Sequence, residues 1–437
     1  MIRKGSLVFL GAATGVALTL IASQPEFALF TADAKPVTAA ETYQRLDALR
    51  DAFEWVRSRY VEKPDDNKLV ESAIGGMLSE LEDSSYIDSK SLSDMTICTA
   101  SGSGCSFGIV GVELTLENGF VKVLSSIDDT PAAKAGVMTG DIITRLDNEP
   151  VQGLTLDQTA HKLHGAVGTK VRLKIVHAGQ NNAVDISITR GAPNPRQVRW
   201  RSEGGDIGYI RMTTFNEPAA DGLKRTINDI ATQIAPETLR GYVLDLRNNP
   251  VGLLDQAISV ADAFLDTGEI VSIYGRTMET KHVRAQKGDL TNGKRLIVLI
   301  NGGSAAMAEV VAGALQDNRR ATIVGTRSFG KGSVYTLIPV RPEKGAIGGD
   351  GVIRLATGHY FTPSGRMIQR NGISPDIEVL QDIPDDLKAA KDREQPRLQS
   401  YIPPDPKDDK ALNKAFDLLR GANANVTSQP VRATDPN

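Results

Sequence analysis

Apolar strand-like runs alternate with amphipathic helix-like segments between residues 195 and 385, and this alternation limits the possible folds more than any other feature. The strand candidates are "IGYIRM", "GYVLDLR", "RLIVLI", "ATIVGT", "SVYTLIPV" and "GVIRLATGHYF". The helix candidates between several of them are "AADGLKRTINDIATQI", "LLDQAISVADAFL" and "AMAEVVAGALQD". Such an order is typical of helices packed against a sheet. The sequence therefore predicts an α/β core over residues 195–385.

A smaller domain is predicted over residues 100–192. Two strand-like runs flank Asn118-Gly119, which is a strong hairpin signal, and further short strands and a helix follow. The segment "DTPAAKAGVMTGDI" and this order of elements resemble a PDZ domain of the circularly permuted bacterial type. The resemblance implies that a peptide C-terminus adds as a strand and that backbone N–H groups of Val110, Gly111 and Val112 hold its carboxylate. Ile109 stands where such domains usually have Gly, and a β-branched residue resists left-handed dihedral angles.

The N-terminal region carries the pattern of an export signal. Arg3 and Lys4 precede the uncharged run "SLVFLGAATGVALTLIAS", and "ADA" then offers the small residues that a signal peptidase reads. We expect residues 1–34 to be a signal peptide and the protein to be periplasmic or secreted. The alternative is that the run is kept as an anchor in the inner membrane, because its length is close to that needed to span a bilayer.

Cys98 and Cys105 lie at the ends of the Gly- and Ser-rich stretch "CTASGSGC". In an oxidising compartment they are candidates for an intramolecular disulfide, with two free thiols as the alternative.

Helices are expected over residues 35–95. Leu46, Leu49, Phe53 and Val56 recur at helical spacing, with charged residues between them. This region packs on the main body or serves as a dimerisation arm. At the other end, residues 386–437 are rich in proline and charge and are expected to be largely unstructured, with the amphipathic segment "KALNKAFDLLRG" as the exception.

The overall composition argues against several classes of function. The formal net charge of −3 gives no basic field for nucleic acid or acidic lipid. Five His and two Cys show no metal-ligand spacing, so we expect no metal and no cofactor.

Two glycine-rich segments carry the catalytic signal. "NGGSAAMAE" follows a strand-like run and opens a helix, and "RSFGKGSV" places Lys331 between two glycines at the start of another strand. Ser–Lys peptidases need a hydroxyl nucleophile and a Lys whose neutral form takes its proton. Together with "LRNNPVG", "FTPSGRMIQRNGISPDIEV" and the PDZ-like segment, they resemble the carboxyl-terminal processing (tail-specific) proteases of peptidase family S41, from about Tyr43 to Val379. The resemblance implies a crotonase- or ClpP-like core.

The resemblance also assigns roles to individual positions. Lys331 matches the general base, and the family's serine nucleophile, 25 residues earlier, falls on Ala306, with Glu309 fixing the register. The Gln that orients the Lys falls on Tyr335. The segment "LRNNPVG" matches the family's "LRNNPGG", which is associated with the oxyanion hole. In this oxyanion segment Val251 replaces the first Gly, whereas Gly252 keeps the second. Because Gly bends more freely than Val, we expect Val251 to disturb the oxyanion donors.

Three functions follow as hypotheses. The first is a family S41 homologue that binds polypeptide C-termini or unfolded proteins in the periplasm and is catalytically impaired, a pseudoprotease. The alternative is an active Ser–Lys serine-type endopeptidase, in which Ser304 is the nucleophile or Ala306 is an engineered knock-out. The third is a structural partner that forms mixed oligomers with an active relative through its N-terminal helical arm. Homo- or hetero-oligomers through the N-terminal helices are also expected as a form of partnership.

Overall fold

The computed structural model divides the chain into two compact units, residues 1–72 and 73–437, and each is described on its own. The residues that the structure describes are 39–89, 92, 107–117, 119–177, 182–192, 197–340, 351–382 and 400–421. The expected export signal and the Cys98–Cys105 pair lie outside these residues.

The described part of the first unit begins with helix α1 (Ala39–Arg59), and α2 (Asp66–Ser79) follows it. Ion pairs between neighbouring turns support α1, such as Arg50 with Asp47 at 3.1 Å. Its apolar residues Leu46, Leu49, Trp55 and Val56 are exposed, and Leu49 keeps 55% of its accessible surface. The expected helices are present, with an apolar stripe facing outward. No helix among the described residues has the length and apolar character needed to cross a bilayer.

The PDZ-like domain is built on a six-stranded sheet of order β3–β4–β5–β8–β9, with β6 beside β5. The strands of this sheet are β3 (Val112–Glu117), β4 (Phe120–Ser126), β5 (Ile142–Leu146), β6 (Glu149–Pro150), β8 (Lys170–Val176) and β9 (Ala183–Thr189). Two short strands, β2 (Phe107–Gly108) and β7 (Gly165–Ala166), pair with each other in a separate sheet. The predicted hairpin is confirmed, because β3 pairs antiparallel with β4 around Gly119, whose φ is +76°. Helix α3 (Pro131–Lys134) carries an N-cap, Thr130, and α4 (Leu156–Leu163) begins with a capping box.

The core domain contains two sheets. The first has the order β10–β11–β12–β15–β16–β19 and is parallel except for the antiparallel edge strand β10. Its strands are β10 (Val198–Glu203), β11 (Ile207–Met212), β12 (Gly241–Asp245), β15 (Arg295–Ile300), β16 (Thr322–Gly325) and β19 (Ile377–Glu378). The second, antiparallel sheet consists of β1 (Ser85–Ile87), β13 (Glu269–Tyr274), β14 (Lys281–Arg284), β17 (Ser333–Pro339) and β18 (Val352–Phe361).

Helices cover both faces of the parallel sheet. Residues that alternate along each strand pack into different clusters: Tyr242 and Leu244 of β12 join the main core, whereas Val243 between them joins a second one. The main core includes residues of α5 (Ala219–Gln233), α6 (Leu254–Asp262) and α7 (Met307–Asp317). The second consists of sheet residues and α8 (Lys410–Arg420). The amphipathic segment excepted from the unstructured tail forms α8, and the described part of the chain extends from this helix back to Ser400.

The parallel register brings two loops together. Asp245 at the end of β12 lies opposite Leu299 near the end of β15. The segments that follow, residues 246–253 and 301–306, therefore leave the same edge of the sheet. These are the segments that carry Val251, Gly252 and Ala306.

Candidate active site

Ala306 lies at a sharp turn between β15 and α7. It has φ +50° and ψ −109°, which costs a residue with a Cβ about 1–3 kcal/mol. The Ala306 N–H donates to Glu309 Oε2 at 2.8 Å. The turn thus has the geometry that would present a side chain at the helix N-terminus, but the side chain present is a methyl group.

Glu309 joins Ala306 to the turn that carries Lys331. Its fully buried carboxylate also accepts hydrogen bonds from Ser328 Oγ at 2.5 Å, from Gly330 N at 2.6 Å and from Lys331 N at 2.8 Å. Burial raises the pKa of Glu309 to about 7, although these hydrogen bonds pull in the opposite direction. The N–H groups of Ala306 and Lys331 share one oxygen of this carboxylate, so the sequence-predicted positions 306 and 331 do lie together.

The Lys331 side chain reaches into the PDZ-like domain. Its Nζ lies 3.1 Å from Glu113 Oε1, and the two side chains are 19% and 30% exposed. Glu113 lies on β3, which among the described strands pairs only with β4. An ion pair therefore connects the expected general base to the edge strand beside the expected peptide groove.

Ser304 is held in the turn before Ala306. Its fully buried hydroxyl donates to Leu246 O at 2.9 Å and accepts from Asn301 N at 3.0 Å. Both contacts are internal to the two loops, so this hydroxyl is committed to joining them. The geometry does not favour Ser304 as a replacement nucleophile.

The oxyanion segment accommodates Val251 without strain. Val251 is not among the residues with positive φ, and its carbonyl accepts from Phe215 N at 3.1 Å. Gly252 carries the constraint instead: it has φ +153°, and a Cβ there would lie 2.2 Å from Phe215 Cβ. The expectation that Val251 distorts the loop is therefore not supported by the backbone geometry. In the described residues, the N–H of Gly252 and the N–H of Met307 have no backbone acceptor.

Tyr335 lies on β17 at a register shift relative to β18. Its ring lies under the guanidinium of Arg354, 4.9 Å from the centroid. Burial raises the pKa of Tyr335 well above its usual value, and Asp83 adds to the shift. Position 335 therefore holds a neutral phenol ring stacked on an arginine, where the family has an amide.

Gln369 is a buried amide near Lys331 that sequence reasoning missed. Its Oε1 accepts from Gly332 N at 2.6 Å, and its Nε2 donates to Glu82 and Asp83 at 2.9 and 3.0 Å. It fixes the backbone directly after Lys331. Only its place within the "RMIQR" segment could have drawn attention to it.

The loop predicted to bind a carboxylate places its left-handed residue at Gly111. Gly111 has φ +87°, and a Cβ there would meet Thr130 at 2.2 Å. Val110 is buried, and its carbonyl accepts from Ala132 N at 2.8 Å. Ile109 instead forms an extended bridge with Gly191, and neither it nor Val112 has a positive φ. A β-branched residue at 109 is thus compatible with the loop.

Further contacts fasten the PDZ-like domain to the core domain. Arg211 Nε donates to Asp128 Oδ2 at 2.8 Å, and Arg199 contacts Asp128 and Asp129. Ser125 Oγ donates to the carbonyl of Asn248 at 3.1 Å. A cleft of about 700 Å³ lies along this seam and is also lined by Ser400 to Pro404 and by Asp409, but neither Ala306 nor Lys331 lines it. We place the candidate active site outside this cleft, at Ala306 and Lys331, because the Glu309 carboxylate joins these two positions.

Comparison with known proteins assigns the three regions of the chain. Residues 206–379 match Peptidase family S41, residues 108–188 match the PDZ domain, and residues 8–91 match the activating protease CtpB N-terminal domain. A carboxy-terminal-processing protease of Bartonella bacilliformis is 46% identical over 415 residues, which cover 91% of this chain and 92% of that protein. The chain belongs to the carboxy-terminal-processing protease family. The predicted family is confirmed.

Other members of the carboxy-terminal-processing protease family agree with this assignment. The carboxy-terminal processing protease CtpA of Bacillus subtilis is 32% identical over 79% of this chain and 70% of its own length. A solved structure of the photosystem II D1 C-terminal processing protease superposes with a TM-score of 0.64 at 26% identity, over 78% of this chain and 89% of that one. The predicted S41-like α/β fold with a PDZ domain is confirmed.

The two residues of the oxyanion segment should differ in how strongly substitution destabilises the protein. We expect Gly252→Ala to lower the free energy of unfolding by more than about 2 kcal/mol, because the new Cβ has no room beside Phe215. Val251→Gly should lower it by about 1 kcal/mol or less, because Gly loses more backbone entropy on folding. Urea unfolding measures both changes. A gain in stability from Val251→Gly would show that Val251 is strained after all.

Proposed function

We propose that this carboxy-terminal-processing protease homologue binds polypeptide C-termini through its PDZ domain and does not cleave them. The observation that supports this most directly is the alanine at position 306, at the strained turn that opens α7 and is joined to Lys331 through Glu309. A methyl group cannot attack a carbonyl carbon. In a comparable hydroxyl protease, removal of the nucleophile costs about 10⁶ in turnover.

The surroundings of Ala306 also favour loss of activity. A general base must have a free lone pair, but Lys331 is ion-paired with Glu113. At position 335, where the family has a Gln that orients the lysine, the Tyr335 ring instead stacks on Arg354. Ser304, the nearest hydroxyl in sequence, already donates to Leu246 O.

Peptide binding is supported by the loop and strand that remain. The backbone at Gly111 has the left-handed geometry of a nest for an anion, and β3 next to it has one edge without a partner among the described strands. An extended C-terminal peptide of a polypeptide or an unfolded protein would pair with β3 and place its carboxylate at residues 110–112. A ligand on this strand would lie next to Glu113, and hence next to Lys331.

One observation favours the second candidate, an active Ser–Lys endopeptidase whose nucleophile was replaced. The turn at Ala306 keeps its positive φ and all the hydrogen bonds to Glu309, as a single engineered substitution would leave them. The two candidates differ in how much activity one repaired residue returns.

Repair of the site should be strongly non-additive. We expect Ala306→Ser alone to restore little cleavage of a denatured protein, because Lys331 is still paired and unaimed. Ala306→Ser with Tyr335→Gln should exceed the product of the single gains, since nucleophile and base act as a unit. Adding Val251→Gly should contribute little, because Val251 is already unstrained.

The control for this series is Ser304→Ala in the doubly repaired chain. It should reduce the regained activity without abolishing it, because the Ser304 hydroxyl joins the two site loops and is not the nucleophile. Substantial turnover from Ala306→Ser alone would favour the engineered-enzyme candidate, and activity of the unaltered chain that Ser304→Ala abolishes would place the nucleophile at Ser304.

Carboxylate recognition can be tested without cleavage. We expect a peptide with an apolar, free C-terminus to bind at least about tenfold more tightly than its C-terminal amide, because charge-assisted hydrogen bonds from the loop are lost. Gly111→Ala should abolish the difference, and Ala306→Ser should not affect it. Isothermal titration measures the affinities, and equal affinity for acid and amide would contradict carboxylate capture.

We also propose that the protein is exported and that α1 joins copies of it, or joins it to a relative. The supports are the apolar run before residue 35 and the exposed apolar stripe of α1. Native mass spectrometry of protein from its host should give a subunit that begins near Lys35 and an assembly of more than one chain. The assembly should dissociate in Leu46→Glu/Leu49→Glu. A subunit that retains residues 6–23 would indicate the membrane anchor, and a monomer would contradict the interface.

A further inference from the structure

The segment Ser400–Gly421 contacts the two site loops, although it lies beyond the part of the chain that matches Peptidase family S41, which ends at residue 379. Its helix α8 packs Leu412, Phe416 and Leu419 on the parallel sheet, against strands that include β12 and β15. These are the strands that lead into the two site loops. The packing of α8 therefore connects the segment to the strands on which the site is built, and two polar contacts connect it to the loops themselves.

The main attachment is a buried ion pair at the start of α8. Asp409 accepts from Arg247 Nη1 at 2.9 Å and from Arg247 Nη2 at 2.8 Å, and both side chains are at most 5% exposed. Asp245 binds the same guanidinium at 3.0 and 2.6 Å. Arg247 is thus clamped between a carboxylate of β12 and a carboxylate of the C-terminal segment.

A second attachment lies at Ser400. Its carbonyl accepts from Asn301 Nδ2 at 3.1 Å, and the same amide donates to Asn248 Oδ1 at 2.9 Å. Asn301 Oδ1 in turn accepts from Asn248 N at 2.9 Å. Residues from the ends of β12 and β15 and from the C-terminal segment therefore form one hydrogen-bonded group.

These attachments adjoin the loop that would bind a peptide carbonyl. Arg247 immediately precedes Asn248, and the loop continues to Gly252, whose N–H has no backbone acceptor in the described residues. If Asp409 lost its charge, Arg247 would keep a buried positive charge that Asp245 must share with Arg211. The guanidinium would shift, and the backbone of Asn248 would shift with it.

We infer that Asp409 is a positioning residue, and that the segment Ser400–Gly421 is a strut that holds the loop 248–252 in its binding geometry. The inference does not require that the site cleave peptides, because it concerns the shape of the loop alone. It goes beyond the proposed function in assigning a role in the site to a segment outside the matched peptidase domain.

Asp409 also caps α8, because its Oδ1 accepts from Leu412 N at 3.0 Å. Two substitutions separate this capping role from the negative charge. Asp409→Asn keeps a good capping side chain and loses the charge, whereas Asp409→Glu keeps the charge and caps poorly. Asp408→Asn, at the exposed neighbouring position, is the matched control for a lost charge.

Hydrogen exchange of the full chain, followed by mass spectrometry, reports on both ends of the strut. The Asn248 N–H bonded to Asn301 and the Leu253 N–H bonded to Phe215 O are the reporters for the loop. We expect their exchange to rise at least about tenfold in Asp409→Asn, with α8 still protected, and to stay near the unaltered rate in Asp409→Glu and Asp408→Asn.

Two results would overturn the inference. One is unchanged loop exchange in Asp409→Asn. The other is loop exchange that rises only together with that of α8, in Asp409→Glu as in Asp409→Asn, because Asp409 would then only hold the helix.

Discussion

The Glu309 carboxylate accepts hydrogen bonds from donors in two separate segments, the turn at Ala306 and the turn at Lys331. A buried carboxylate without partners would cost several kcal/mol, so each of these donors is held firmly. Three of the four partners are backbone N–H groups, which can only donate, so the arrangement suits the anion even though burial raises the pKa of Glu309 to about 7. The spacing of positions 306 and 331 depends on this group, not on the residue at 306. The frame of the site therefore persists around an alanine.

The PDZ domain and the peptidase domain share contacts where a ligand of one would affect the other. The Glu113–Lys331 ion pair joins β3, the strand proposed to bind a peptide, to the position that matches the family's general base. The Asp128–Arg211 contact and the Ser125–Asn248 hydrogen bond fasten the same domain to the sheet and to the loop after β12. Because both partners of the Glu113–Lys331 pair are partly exposed, solvent weakens it, and a competing ligand can replace it at modest cost. On the proposed function, a peptide on β3 competes with Lys331 for Glu113, and the site still lacks a nucleophile at position 306.

Local patterns predicted most of the fold. The alternating runs of residues 195–385 form the predicted α/β core, and the Asn118-Gly119 signal forms the predicted hairpin, because both depend on neighbours in sequence. The proximity of positions 306 and 331 came from the family resemblance. Contacts between distant residues could not be predicted: Glu113 is 218 positions from Lys331, and Asp409 is 162 positions from Arg247. The backbone at Val251 could not be predicted, because a sequence does not give dihedral angles, and the steric constraint falls on its neighbour Gly252.

The central claim is that the chain keeps the frame of a peptidase site, binds polypeptide C-termini through its PDZ domain and does not cleave them. The most direct measurement is a long incubation of the unaltered protein with an unfolded protein substrate, with mass spectrometry to detect new C-termini. Lys331→Ala serves as the control for contaminating proteases. The account predicts that the unaltered chain yields no more new C-termini than Lys331→Ala does. New C-termini that appear with the unaltered chain and disappear with Lys331→Ala would contradict it.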